Sequence, residues 1–120
     1  MMVLDASAVL AFLQGETGSE RVSLALSGGI IGAANWSEVA QKVRARGADW
    51  NLARVLLESY GIRIEPVTTA DAERAAALWR QGSGLSLADR LCIALAERLG
   101  VAALTADRAW GSSEHVEHLR

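Results

Sequence analysis

Cysteine, proline, aromatic residues and charge excess are all scarce in this chain. Cys92 is the only cysteine, so no internal disulfide can form and a reducing compartment fits. Pro66 is the only proline, which argues against a loop-rich or disordered chain. Aromatic residues make up 5% of the sequence and hydrophobic residues 51%. A core built that way consists of Ala, Leu and Val, which suits closely packed helices. The formal net charge is −2, which excludes a basic coat held on nucleic acid by bulk charge. No apolar run approaches the roughly 18 residues of a membrane span. The opening stretch "MMVLDASAVLAFLQGE" has no basic leader region, and Asp5 interrupts its apolar run. A cytoplasmic protein with no membrane contact is expected. Its 120 residues provide for one domain with a real core, spanning 1–120.

What is present alternates. "MVLD", "GIIGA", "IRIEPV" and "VAALT" read as short strands, and "HVEHLR" as a closing strand that alternates apolar and polar. Helical stretches lie between them. "ASAVLAFLQGE" and "TGSERVSLALSGG" come first, each stopped by glycine. "ANWSEVAQKVRARG" follows with Asn35 as its cap, and then "ADWNLARVLLESYG" capped by Asp49. "TTADAERAAALWRQGSG" starts at Thr68 or Thr69, and "GLSLADRLCIALAERLG" is the most apolar of the set. Such alternation argues for an α/β fold with a parallel, helix-covered sheet, its apolar strands buried on both faces.

Four acids share one kind of position. Asp5 ends the first strand, and Glu38 falls in the first turn of the helix after the second. Asp89 falls in the first turn of the helix leading to the fourth strand, and Asp107 lies just past that strand. Strand C-termini and the helix N-termini that follow them share one edge of an open α/β sheet, where ligands bind. Each acid also has a structural use. Asp5 could cap the helix after it, and Asn35 and Glu38 form an N-x-x-E box. Glu38 could pair with Lys42, a contact worth about 0.2–0.5 kcal/mol. Ser86 and Asp89 form a capping box, and Asp107 could start the "ADRAWG" turn. Four like charges on one edge repel each other, and a cation removes that repulsion. Carboxylate ligands with no His or Cys nearby in sequence suit a hard ion such as Mg²⁺ or Mn²⁺. Ser7 and Asn35 are placed to hold a water or a phosphate oxygen. Metal-assisted phosphodiester hydrolysis is the chemistry that follows, with one ion or two.

These residues resemble the PIN-domain nucleases, in particular the VapC-type toxins of bacterial toxin–antitoxin modules. The resemblance is carried by "VLDASAVLAFLQGE", "NWSEVAQKV" and "LSLADRLCIALAERLGVAALTADRAW". It implies a five-stranded parallel sheet of order 3-2-1-4-5 with helices on both faces. It also implies an Mg²⁺- or Mn²⁺-dependent endoribonuclease that cuts structured RNA and stops translation. Asp5, Glu38, Asp89 and Asp107 then form the acidic quartet, with Ser7 and Thr105 in support. A homodimer and a small neutralising antitoxin are the implied partners. Other readings of the residues are a PIN nuclease with an RNA-processing role, a phosphatase and a non-catalytic binding module. A phosphatase of the strand-end Asp type commonly needs a second Asp where this chain has Ser7. In a binding module the acids would serve as caps or a docking patch.

The remaining residues divide between surface and core. Lys42, Arg44, Arg46, Arg90 and Arg108 could meet RNA phosphates or form solvated faces and local ion pairs. Trp36, Trp50, Trp79 and Trp110 are expected mainly in packing, with Trp36 and Trp110 the ones nearest the acids. Cys92 reads as a buried thiol, and His115 and His118 as surface residues.

Overall fold

Strand residues that alternate in side-chain direction present two faces to be covered, and here each face has its own helices. The computed structural model describes all 120 residues. In chain order the elements are β1 (Val3–Leu4), α1 (Ala6–Leu13), α2 (Ser19–Leu26), β2 (Ile30–Gly32), α3 (Ala33–Ala45) and α4 (Trp50–Ser59). They continue with β3 (Arg63–Glu65), α5 (Thr69–Ala77), α6 (Leu87–Leu99), β4 (Ala103–Thr105), a 3₁₀ turn (Arg108–Trp110) and β5 (Val116–His118). The sheet runs β3-β2-β1-β4-β5, and every pair in it is parallel. Leu4, Ile31 and Leu104 face a core filled by α1 to α4, through Val9, Val22, Leu26, Val39, Val43 and Leu57. Val3, Ile30 and Ala103 face the other way, onto Cys92, Ile93, Leu95 and Ala96 of α6.

Local chemistry sets the element ends. Thr68 and Asp71 close a capping box on α5, and Ser86 and Asp89 close one on α6. The Asp49 side chain accepts from Leu52 N at the start of α4. Gly100 ends α6 at φ 67°, a conformation that costs glycine little. Gly29 enters β2 so close to α2 that a Cβ there would lie 2.4 Å from the Ala25 carbonyl oxygen.

Several expectations need correction. Only the three inner strands are buried; β3 and β5 are the sheet edges, and Arg63 and Ile64 are exposed. The third helix starts at Ala33 with Gly32 as its N-cap. Asn35 therefore lies inside the helix rather than capping it, and Glu38 falls in its second turn. Trp110 is buried, and Trp36 packs edge-on against Trp50 at 5.1 Å between ring centroids. The exposed tryptophan is Trp79, at 59%. His115 and His118 are half-buried, each bonded through its ring to a backbone carbonyl, of Val101 and Gly111 respectively.

Candidate functional site

Asp5 follows the central strand, where its backbone N–H donates to Leu104 O at 3.0 Å. Its side chain is 2% exposed and makes no capping bond to α1. Instead Asp5 Oδ2 accepts from Ser7 Oγ at 2.6 Å and from Thr105 Oγ1 at 2.9 Å. Each hydroxyl has a single proton, and here it goes to Asp5. The oxygens of both hydroxyls then accept backbone N–H groups from the loop after β4. Ala106 N donates to Ser7 Oγ at 2.9 Å, and Asp107 N donates to Thr105 Oγ1 at 3.0 Å. This knot locks the ends of β1 and β4 together and fixes where the chain carries Asp107. Burial pushes the Asp5 carboxyl up to about 6 in spite of the Ser7 and Thr105 bonds, and the charges of Asp89 and Glu38 add to the rise.

Glu38 is held from its own helix. Asn35, 1% exposed, donates through Nδ2 to Glu38 Oε1 at 3.1 Å and to Ala88 O at 3.2 Å. One carboxamide thus ties α3 to the first turn of α6, beside Asp89. Its Oδ1 is buried without a partner. Burial raises the Glu38 carboxyl above its ordinary value; the Asn35 bond opposes this, Asp89 adds to it, and Lys42 opposes it. Asp89 itself accepts from Ser86 N through Oδ2 at 2.9 Å. Asp107 accepts from Ala109 N through Oδ1 at 2.9 Å, capping the 3₁₀ turn. Both roles expected of Asp89 and Asp107 as caps are therefore real, whereas Asp5 has no such role.

Asp5, Glu38 and Asp89 feel one another's charge, and Cys92 reports on all three. Its buried thiol is pushed well up, first by burial and then by Asp5, Asp89 and Glu38. Such a thiol stays protonated and forms an apolar floor, not a nucleophile. Asp107 joins the group through Thr105, by the backbone bond above. None of the four acids forms an ion pair. No three His, Cys, Asp or Glu side chains stand close enough as placed to share one ion. Asp89 and Asp107 each have one oxygen turned to a cap. Carboxylate oxygens without a pairing cation are the donors that a hard ion takes, and burial raises two of the four carboxyls, Asp5 and Glu38.

The expected basic residues separate. Lys42 and Arg46 line a groove of about 370 Å³ with Ser7 and Asp107. Arg108 is exposed and free of ion pairs. Arg90 is half-buried and tethered to α5: its Nη1 donates to Ala75 O at 2.7 Å and its Nε is buried without a partner. Arg44 is exposed on α3 and lines no groove. Sequence reasoning missed the pairing of Asp71, the acid of the α5 capping box, with Arg98; it joins α5 to α6 through two bonds of 2.8 and 3.0 Å. Burial raises the Asp71 carboxyl, but the bonds from Arg98 and Thr68 together bring it below its usual value.

Known proteins share this fold. The PIN domain family model matches residues 2–112. The VapC ribonuclease Mb2780c of Mycobacterium bovis and the ribonuclease VapC42 of Mycobacterium tuberculosis are each 33% identical over 111 residues. Those alignments cover 82% of this chain and 85% of the relative. A toxin–antitoxin complex from Klebsiella pneumoniae holds a chain that superposes with a TM-score of 0.83 at 20% identity, covering 100% of this chain and 98% of that one. VapC20 of Mycobacterium tuberculosis, a sarcin–ricin loop cleaving toxin, superposes at 0.73 with 19% identity over 95% of this chain and 98% of its own.

Proposed function

The chain belongs to the PIN-domain family as a VapC-type ribonuclease toxin, and from that premise we propose that Asp5, Glu38, Asp89 and Asp107 are the catalytic carboxylates of an Mg²⁺- or Mn²⁺-dependent endoribonuclease. The observation that carries this is the Asp5 carboxylate. It is buried at the end of the central strand, bonded by Ser7 and Thr105, and raised further by Glu38 and Asp89. A carboxylate kept there against desolvation and like charge, with no capping bond to α1, is what a cation site requires.

When bound, a divalent ion supplies Lewis acidity, activating water for attack and offsetting the charge that builds on the phosphate. The chain's own residues do the rest. Ser7 and Thr105 fix the rotamer of Asp5, so that its second oxygen keeps one direction. Asn35 does the same for Glu38 and sets its distance from α6. The capping box fixes the backbone of Asp89, and the Asp107 N–H bond to Thr105 fixes that of Asp107. Residues 1–120 act as one domain with a cytoplasmic site of action; no helix is long and apolar enough to cross a membrane. The proposed partners are structured RNA, a small antitoxin and a second copy of the chain. Leu52, Val55 and Leu56 of α4 are exposed, Leu52 at 70%, and give a protein partner apolar surface to bury.

The test is cleavage of total cellular RNA by antitoxin-free protein with Mg²⁺, with Mn²⁺ and with chelator, beside Asp89→Asn. The amide loses rate by about a hundred- to a thousandfold while its helix cap persists. Cleavage indifferent to chelator, or a variant as fast as the wild type, refutes the assignment.

A further inference from the structure

An acidic centre repels the polyanion it is meant to cut. Four carboxylates with no paired cation put net negative charge where an RNA strand has to come closest. The strand must therefore be held by cations beside the centre. Two grooves beside the acids carry such cations. One, of about 370 Å³, carries Ser7, Lys42, Arg46 and Asp107, with Glu16 and the apolar Leu10 and Ala106 also in its lining. The other, of about 420 Å³, is lined by Arg108, Gly111, Ser112, His118 and Arg120, with no hydrophobic residue and no acid. Arg120 lines both.

We infer that the second groove is a phosphate subsite for the RNA backbone, continuous through Arg120 with the groove that holds Asp107. It rests on the ribonuclease reading above and adds the path of the strand to it. Arg108 has neither ion pair nor hydrogen bond to the protein, so its guanidinium is free to turn to a ligand. Arg120 is anchored by Nη1 to Thr17 O at 2.9 Å and by Nη2 to Glu16 at 3.4 Å, which holds it at the junction of the two grooves. The His118 ring is fixed by its Nε2 bond to Gly111 O at 2.6 Å and forms a rigid wall. Two arginines line the groove, and no aliphatic, Phe, Tyr or Trp side chain does, which suits a phosphate better than a base. The ligand is the sugar–phosphate chain, and its recognition is independent of sequence. Arg44 lines neither groove and Arg90 is bonded internally, so the strand runs from Lys42 and Arg46, past Asp107 and Arg120, to Arg108.

The test uses Arg108→Gln, Arg120→Gln and the double variant, with Arg44→Gln as a charge-matched control. A short fluorescein-labelled single-stranded RNA is bound in chelator over a salt series, and cleavage is then followed with Mn²⁺. Each subsite substitution is expected to remove about 0.7 of the slope of log affinity against log salt. KM for RNA rises about tenfold in the double variant while kcat holds. Arg44→Gln keeps the wild-type slope. Thermal melts check folding, and Arg108→Gln, which breaks no protein bond, keeps the test valid if Arg120→Gln unfolds. Wild-type slope and KM in Arg108→Gln, beside normal cleavage by the wild type, overturn the subsite alone. A fall in kcat with KM unchanged also overturns it. A wild type that neither binds nor cuts RNA overturns the ribonuclease reading and the subsite with it.

Discussion

At the scale of the residue, Asp5 is costly to the fold. Its carboxyl is pushed from 3.8 to about 6, so the folded chain binds more protons than the unfolded one between those values. Stability is greatest below the lower value and falls as pH rises through about 6, by up to about 3 kcal/mol. Glu38 shifts the same way and adds to the slope. Asp5→Asn keeps an oxygen for Ser7 and Thr105 but removes the charge. In chelator, the variant is expected to gain on the wild type in urea melts as pH rises from about 4 to about 6, and the gap then stays level. A gap independent of pH would show that Asp5 is not the strained group. The same substitution is expected to abolish cleavage, because a site that holds a cation has to keep a charge the fold would rather lose. The identity of this residue was legible in "VLDAS"; its strain was not. The partners that keep it buried, Ser7 apart, come from Thr105, a hundred positions away, and no local pattern announces such a bond.

At the scale of the element, α6 was legible and α3 only in part. Ser86 and Asp89 carry the capping signal in their side chains, and the helix starts where that signal puts it. The start of α3 has no signal to read. Gly32, Ala33 and Ala34 carry no capping side chain, and Asn35, which has one, points into the protein instead. That three-residue difference places Glu38 in the second turn and makes Asn35 a tie between two helices. The order that puts β3 and β5 outermost was expected and holds; their burial on both faces was misjudged, because an edge place leaves much of each strand to solvent. Gly32 gives the tie a test. Its φ of −70° suits any residue, yet a Cβ there would lie 3.1 Å from Asn35 Oδ1 and 3.4 Å from Leu95 Cδ2. Gly32→Ala is therefore expected to displace the carboxamide that holds Glu38. Cleavage falls about tenfold, with a stability loss of about 1 to 2 kcal/mol. Stability lost at an unchanged rate in the folded protein would make Asn35 a structural residue only.

At the scale of the whole molecule, the proposed metal site links ion binding to folding through the same charges. The proposed quartet draws its acids from the end of β1, from α3, from α6 and from the loop after β4, and the charges of Glu38 on α3 and Asp89 on α6 act on Asp5 between them. A divalent cation bound there favours the folded chain alone. At a hundredfold excess over its dissociation constant it adds about 2.7 kcal/mol, or roughly 10 °C in Tm for a domain of this size. Mn²⁺ is expected to raise the wild-type Tm by about that much at pH 7. Asp5→Asn relieves the same repulsion by another route, so the two effects should not add. That variant should start with the higher Tm in chelator and gain little from Mn²⁺. If Mn²⁺ raised both proteins equally, the ion would be binding elsewhere, and the acids would be repelling each other for no purpose of catalysis. If only the wild type responds, the carboxylates that destabilise the free protein are the ones that hold the ion.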